Sequence, residues 1–143
     1  MSLQPIRRDT VLRLDYHRAD DALRSYAMKT GNFAVQPSCT MPGLDTEISL
    51  ARDVLIMLKP SNGVGSAGSY LVHWQPADLG RFPRFDGTLR VVADGELTHL
   101  QLDGSYDDPA GARADAVDIE LGVRFAQATA RAMLEEIVSV VTA

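Results

Sequence analysis

The feature that most constrains the fold is an uninterrupted helical stretch at the C-terminal end of the sequence. Residues 112–141 contain no proline and a single glycine, and alanine is frequent. These properties predict one helix of roughly 30 residues, ~45 Å long at 1.5 Å per residue. One apolar stripe comprises Ile119, Val123, Ala126, Ala130, Met133, Ile137 and Val141, and a second, nearly opposite, comprises Val117, Leu121, Phe125, Ala128 and Ala132. The first stripe needs an extended apolar surface to cover it.

Upstream of this helix, alternating apolar and polar residues predict strands. We expect these strands to form an antiparallel sheet that supplies the apolar surface for the helix. Strands are predicted over residues 69–75, 88–93 and 97–103, after a longer β-like stretch over residues 46–59. Within that stretch Arg52 falls on the apolar face, so either a bulge near Arg52-Asp53 turns it to solvent or it is buried and paired. Asp94-Gly95 predicts a type I′ hairpin turn between two of them. The predicted apolar faces contain Ile48, Leu50, Val54, Ile56 and Leu58, then Tyr70, Val72 and Trp74, then Leu89, Val91 and Ala93, then Thr98, Leu100 and Leu102.

The N-terminal third predicts a strand, a short helix and a loop. Residues 11–17 alternate, which places Leu12, Leu14 and Tyr16 on one face. Residues 19–29 predict a helix whose inner stripe is Leu23, Tyr26 and Ala27, and a short strand follows at residues 33–35. The order is strand, short helix, several antiparallel strands and long helix, which predicts one α+β domain over residues 1–143.

Composition excludes several classes of partner. With 14 basic and 19 acidic residues the chain has a net charge of −5, so it lacks the basic surface that nucleic acid or an anionic membrane requires. No stretch approaches the ~18 consecutive apolar residues of a membrane span, and the first residues lack the apolar core of a signal peptide. We therefore expect a cytoplasmic protein. Because Cys39 is the only cysteine, neither an intramolecular disulfide nor a cysteine-based zinc site can form within the chain.

Short motifs for cofactors and catalysis fail on their context. Residues 63–68 match G-x-G-x-x-G, but a predicted strand follows them rather than the helix that would hold a pyrophosphate. Counted from Asp103, the positions that a calcium loop fills with glycine and glutamate hold Asp108 and Ala114, so residues 103–108 predict a polar loop before the last helix. His17, His73 and His99 have no metal-ligand spacing, and His73 and His99 are predicted to point to solvent. No nucleophile elbow is present. The sequence therefore predicts no cofactor, no metal site and no catalytic residue.

Two further segments carry a family resemblance. They are Phe82-Pro-x-Phe85-x-Gly87-x-Leu89-x-Val91 and Thr98-x-Leu100-x-Leu102-x-Gly104-x-Tyr106-x-x-Pro109-x-Gly111. Together with the terminal helix, over residues 45–143, they resemble the START-like superfamily of lipid-transfer domains, plant pathogenesis-related ligand carriers and aromatic polyketide cyclases. The resemblance implies a curved antiparallel sheet gripping the C-terminal helix, with an apolar cavity between them. The family usually has two short helices after the first strand, whereas this sequence predicts one.

Three hypotheses for function follow. The first is a binding module that holds a small hydrophobic molecule between sheet and helix, lined by Tyr70, Val72, Trp74, Leu89, Val91, Leu100, Leu102, Ile119, Val123 and Ala126. The second is a cyclase- or dehydratase-type enzyme on the same fold, which would need a titratable group facing the cavity, and none is predicted. The third is a packed-core interaction protein, whose second helix stripe would form a homodimer contact.

Overall fold

A computed structural model describes residues 2–40, 47–49, 54–61, 68–76, 84–108 and 116–142. The helices are α1 (Tyr16–Lys29) and α2 (Ala116–Val141); the strands are β1 (Ser2–Leu12), β2 (Asn32–Val35), β3 (Ser38–Thr40), β4 (Glu47–Ser49), β5 (Val54–Pro60), β6 (Ser69–Pro76), β7 (Arg84–Asp94) and β8 (Leu97–Asp108). Six strands form one antiparallel sheet in the order β1-β8-β7-β6-β5-β2, while β3 and β4 pair separately. The long helix α2 packs on the six-stranded sheet, so the predicted α+β class is confirmed.

Alternation along the strands separates a buried inner face from an exposed outer face. In β5, Val54, Ile56 and Leu58 are buried, whereas Leu55 and Met57 between them are exposed. The inner residues predicted for β6 and β8 are also buried. Of the three inner residues predicted for β7, Leu89 and Val91 are buried, and Ala93, at the hairpin end, is exposed. The period of two therefore located the core side of the central strands correctly.

The hairpin between β7 and β8 has a different turn from the predicted one. Asp94 pairs with Leu97, so the two-residue loop is Gly95-Glu96 rather than Asp94-Gly95. Gly95 has φ +61°, and no non-glycine residue in the described ranges has a positive φ. A positive φ at the first loop position alone is the type II′ combination, which places glycine there. The glycine correctly indicated a turn, but it occupies the first loop position rather than the predicted second.

The predicted strand over residues 11–17 is wrong. The strand β1 ends at Leu12, and α1 begins at Tyr16. Asp15 caps this helix, since its carboxylate accepts a hydrogen bond from the backbone N–H of Arg18 at 2.8 Å. The apparent alternation at Leu14 and Tyr16 thus spans a helix start, and both side chains are only partly buried against the core.

Two other segments differ from the loops expected of them. Residues 103–108 belong to β8 rather than to a polar loop. Ser38–Thr40, expected within a loop, forms β3. The short strand near residues 33–35 is confirmed as β2, and β6 begins at Ser69 directly after Gly68, so a strand follows the glycine-rich segment. Residues 62–67, Leu50 and Arg52-Asp53 lie outside the described residues, as do the side chains of Ile48 and Cys39.

The helix α2 is 26 residues long and buries most of its first stripe. Ala126, Ala130, Met133, Ile137 and Val141 are buried, but Val123 is 37% exposed, contrary to prediction. In the second stripe Ala128 is buried, and Phe125 and Ala132 pack partly buried against the same core. The side chains of Val117, Ile119 and Leu121 lie outside the described part. No helix in the described residues is long and apolar enough to cross a membrane.

Candidate ligand-binding site

The inner face of the sheet brings most of the predicted lining residues together. The strand pairings place Tyr70 beside Leu89, Leu89 beside Leu102, and Val91 beside Leu100. All seven predicted strand residues and Ala126 of α2 are buried, with 0–6% of each exposed. Val123 lies at the surface. These buried residues belong to one apolar core cluster with residues of α2, and their role in ligand binding stays a prediction.

Two aromatic residues that the sequence analysis missed belong to the same region. Phe85 lies beside Trp74 across β6 and β7, with ring centroids 4.0 Å apart and an interplanar angle of 13°. Tyr106 pairs with Phe85 from β8, and all three side chains are buried. Phe85 has the parity of Leu89, and Tyr106 has the parity of Leu102. Extending the predicted strands beyond residues 88 and 103 would have found both.

Opposed glycines make room for the Phe85 ring. Gly87 and Gly104 pair directly across β7 and β8. A Cβ added to Gly87 would lie 2.5 Å from Phe85 Cζ, and one added to Gly104 would lie 2.6 Å from the same atom. The tip of the Phe85 ring therefore occupies the space that two side chains would otherwise fill. This packing gives a physical reason for the spacing of phenylalanine and glycine in the motif over residues 82–91.

The indole N–H of Trp74 lies buried in this aromatic cluster. Trp74 is 0% exposed, and its Nε1 has no hydrogen-bond partner in the part of the chain that the structure describes. Leaving a buried donor unpaired costs about 1–3 kcal/mol, and buried indole groups usually find a partner. The group is thus a donor available to any acceptor that enters the inner side of β6.

A second polar group on the inner face is paired, and its partner comes from α1. The Tyr70 hydroxyl donates to Asp20 Oδ1 at 2.6 Å, and the Arg24 guanidinium lies 5.9 Å from the ring centroid. Burial raises the pKa of Tyr70 well above its ordinary value of 10.0, and the hydrogen bond to Asp20 raises it further. The phenol therefore stays protonated and ties α1 to β6. No sequence signal paired these residues, which are 50 positions apart.

His73, His99 and two pockets lie apart from Trp74 and its aromatic neighbours. His73 and His99 point outward, as predicted, with ring nitrogens 2.7 Å from Asp86 and 2.8 Å from Asp94. Among the residues that the structure describes, no group of three or more metal-ligating side chains is found. One pocket of about 380 Å³ lies on the outer face around Arg7, Asp9 and Arg90. Another, of about 460 Å³, lies between β1 and α2.

Comparison with known proteins identifies the fold. Neither a protein-family model nor a curated protein matches the sequence. Among solved structures, the chain is similar to Ara h 8.0201, with 8% identity over 99% of both chains and a TM-score of 0.60. Norcoclaurine synthase from Thalictrum flavum, solved in complex with dopamine and hydroxybenzaldehyde, gives 11% identity over 99% of this chain and 87% of that one, with a TM-score of 0.56. The structure of TTHA0849 from Thermus thermophilus gives 12% identity over 97% of both chains and a TM-score of 0.50.

At these identities the likeness concerns the fold alone. The class is the helix-grip fold, as the sequence resemblance implied. Between β1 and β2 the described chain has one helix, α1, which agrees with the single helix predicted there.

Proposed function

We propose that the protein binds a small hydrophobic molecule between the inner face of the sheet and α2, with Trp74 at the binding position. The proposal is supported by the seven predicted strand residues, which are buried on three neighbouring strands, β6, β7 and β8. Phe85 and Tyr106 add aromatic surface beside Trp74. Sites of this kind are mostly apolar and use a few polar groups to orient the ligand.

The observation that carries the proposal is the unpaired Trp74 N–H. A core that serves stability alone gains nothing from an indole donor with no acceptor, since the lost hydrogen bond to water is not replaced. A ligand carrying a carbonyl, carboxylate or hydroxyl oxygen would supply the acceptor. The ligand class is therefore an apolar, preferably aromatic, molecule with at least one oxygen acceptor.

The pairing of Tyr70, the one described titratable side chain on the inner face of β6, favours binding over catalysis. A cyclase or dehydratase needs an acid or base that reaches its substrate. Tyr70 is fully buried, its hydroxyl is bonded to Asp20, and its raised pKa makes it a weak acid. The pair acts as a structural tie between helix and sheet.

The test uses Trp74 as its own reporter, because it is the only tryptophan. The folded protein should show blue-shifted emission, and titration with dodecanoic acid or 1-naphthol should change that emission saturably. In calorimetry, Trp74→Phe should weaken 1-naphthol binding about fivefold, the value of one neutral hydrogen bond of about 1 kcal/mol. Leu71→Ala, on the exposed face of the same strand, should leave the affinity unchanged.

A second candidate, a packed-core interaction protein without ligand, is favoured by the 0–6% exposure of the enclosed residues. The two candidates predict different titrations. A blue-shifted Trp74 emission that neither dodecanoic acid nor 1-naphthol changes would contradict ligand binding and favour the packed core. Equal weakening by Trp74→Phe and Leu71→Ala would contradict the role given to the indole N–H.

A further inference from the structure

The strand β1 is a long and regular edge of the main sheet. It is 11 residues long and lies at one end of the strand order. Its register with β8 runs without interruption from Ser2 opposite Asp108 to Leu12 opposite Thr98. The pairing therefore contains no bulge, the device that commonly makes an edge strand unsuitable for further pairing.

The turn between β7 and β8 determines which backbone groups of β1 point outward. A two-residue loop is closed by a hydrogen-bonded pair, here Asp94 and Leu97. Because hydrogen-bonded and non-bonded pairs alternate, Leu100 and Leu102 direct their backbone groups to β1 instead. Their partners Thr10 and Arg8 bond to β8. The odd-numbered residues of β1 thus direct their backbone groups to the open side.

The position of proline agrees with this assignment. Pro5 has no N–H and is an odd-numbered residue, so its missing donor falls where the ladder with β8 needs none. Pro5, Arg7, Asp9 and Val11 are all exposed. In the described part of the chain, no backbone hydrogen bond outside the helices and sheets involves them. Among the described residues, none pairs with the backbone N–H groups of Arg7, Asp9 and Val11 on this open side.

Both sides of this edge are open to a neighbouring strand. On the inner side a groove of about 460 Å³ separates β1 from α2; it is lined by Arg8, Thr10, Arg131, Leu134, Glu135 and Val138, among others. On the outer side Arg7, Asp9 and Val11 face solvent. The helix therefore leaves space beside β1 for a strand and its side chains.

We propose that β1 pairs with β1 of a second copy of this chain, antiparallel, about a two-fold axis through Arg8. In this register Arg7 lies opposite Asp9 of the second copy, and Asp9 lies opposite its Arg7. The two residues form hydrogen-bonded backbone pairs, and Val11 donates to the carbonyl of Pro5 across the axis. The two six-stranded sheets become continuous.

Charge complementarity selects this register. Arg7 already forms an ion pair with Asp103 at 3.1 Å, so in the dimer each Arg7 lies between two carboxylates. A two-fold axis through Arg7 or Asp9 would place like charges directly opposite each other and form neither Arg7–Asp9 pair, whereas the axis through Arg8 sets two pairs of opposite charge against one like-charge contact. Proline and charged residues often prevent edge pairing, but here their order complements itself. The cost of this register is that Arg8 lies opposite Arg8 of the second copy on the inner side.

The first experiment measures the dimer dissociation constant by sedimentation velocity over a concentration series. Asp9→Arg should raise this constant about tenfold or more, since both symmetry-related contacts become repulsive. Asp21→Arg changes the net charge by the same amount at an exposed position on α1, and it should leave the dissociation constant unchanged. Arg8→Gln removes the like-charge contact and should lower the dissociation constant. Equal effects of Asp9→Arg and Asp21→Arg would overturn the proposal, as would a monomer at every concentration.

The second experiment tests the register with cysteines in a Cys39→Ser background. In a non-hydrogen-bonded antiparallel pair the Cα atoms are ~4.5 Å apart, within the range that a disulfide spans. Arg8→Cys should therefore give a covalent dimer on oxidation with diamide. Arg7→Cys is the control, because its diagonal separation of ~7–8 Å is too long. Cross-linking of Arg7→Cys but not Arg8→Cys would overturn the register, and neither result depends on a ligand.

Discussion

At the scale of single residues, β6 carries two polar groups on its inner face that differ in their pairing. The Tyr70 hydroxyl is paired with Asp20, whereas the Trp74 N–H has no partner among the described residues. The paired group holds α1 against β6, and the unpaired group marks the place where we propose a ligand acceptor. The sequence predicted that Trp74 faces inward and needs a partner, because His73 beside it was assigned to solvent. It could not predict Asp20, since that contact depends on how α1 lies across the sheet.

The Tyr70–Asp20 contact gives a prediction about stability. Tyr70→Phe should lower the free energy of unfolding by about 1.5 kcal/mol at pH 7, because a buried hydrogen bond to a carboxylate is lost. Asp20→Asn is the matched control: it keeps an oxygen acceptor and should cost less. Urea unfolding measures both. A loss for Tyr70→Phe no larger than that for Asp20→Asn would contradict the contact's importance.

The same pair predicts how stability changes at alkaline pH. The pKa of Tyr70 is raised above 10.0 in the folded protein, so its protonated form contributes stability that is complete below pH 10. That contribution is lost as the pH rises from 10 towards the folded-state pKa. Tyr70→Phe should therefore show a shallower alkaline loss than the wild type. Tyr26, whose pKa burial also raises, should retain part of the slope.

At the scale of secondary-structure elements, the packing between β7 and β8 depends on two glycines rather than on large side chains. Gly104→Ala would bring its Cβ to 2.4 Å from the Asp86 carbonyl oxygen and 2.6 Å from Phe85 Cζ. Overpacking of this kind costs about 1–3 kcal/mol. Ser105→Ala, one residue away on the opposite face, should stay within about 0.5 kcal/mol of the wild type. Equal urea midpoints for the two variants would show that β7 and β8 can move apart to accept the added Cβ without a loss of stability.

The elements also show which parts of the fold the sequence could predict. Strands β5 to β8 have one apolar face each, so alternation located Leu89, Leu100 and their neighbours correctly. The strand β1 was missed because Pro5, Arg7, Arg8 and Asp9 interrupt any apolar pattern. Its assignment as a strand comes from pairing with β8 along its whole length. Local patterning cannot report a long-range pairing of that kind.

At the scale of the whole molecule, the long C-terminal helix and the earlier strands indicated the architecture before any pairing was known. The resemblance over residues 45–143 implied the helix-grip fold, and similar solved structures confirm it. The candidate site was only partly predictable. Eight of ten lining residues are buried together, Val123 faces solvent, and Phe85 and Tyr106 were missed because the predicted strands were too short. Which ligand fits depends on shape, which patterning does not encode.

The most direct measurement of the central claim is the Trp74 indole resonance in a ¹H–¹⁵N correlation spectrum. With one tryptophan the spectrum contains one such signal. Titration with 1-naphthol should move it downfield and saturate with the calorimetric dissociation constant, because the N–H gains an acceptor. Backbone signals of Leu89 and Leu102 should shift with the same constant, and those of the outward-facing Met57 should not. An indole signal that stays fixed while 1-naphthol binds elsewhere, or does not bind, would contradict the account.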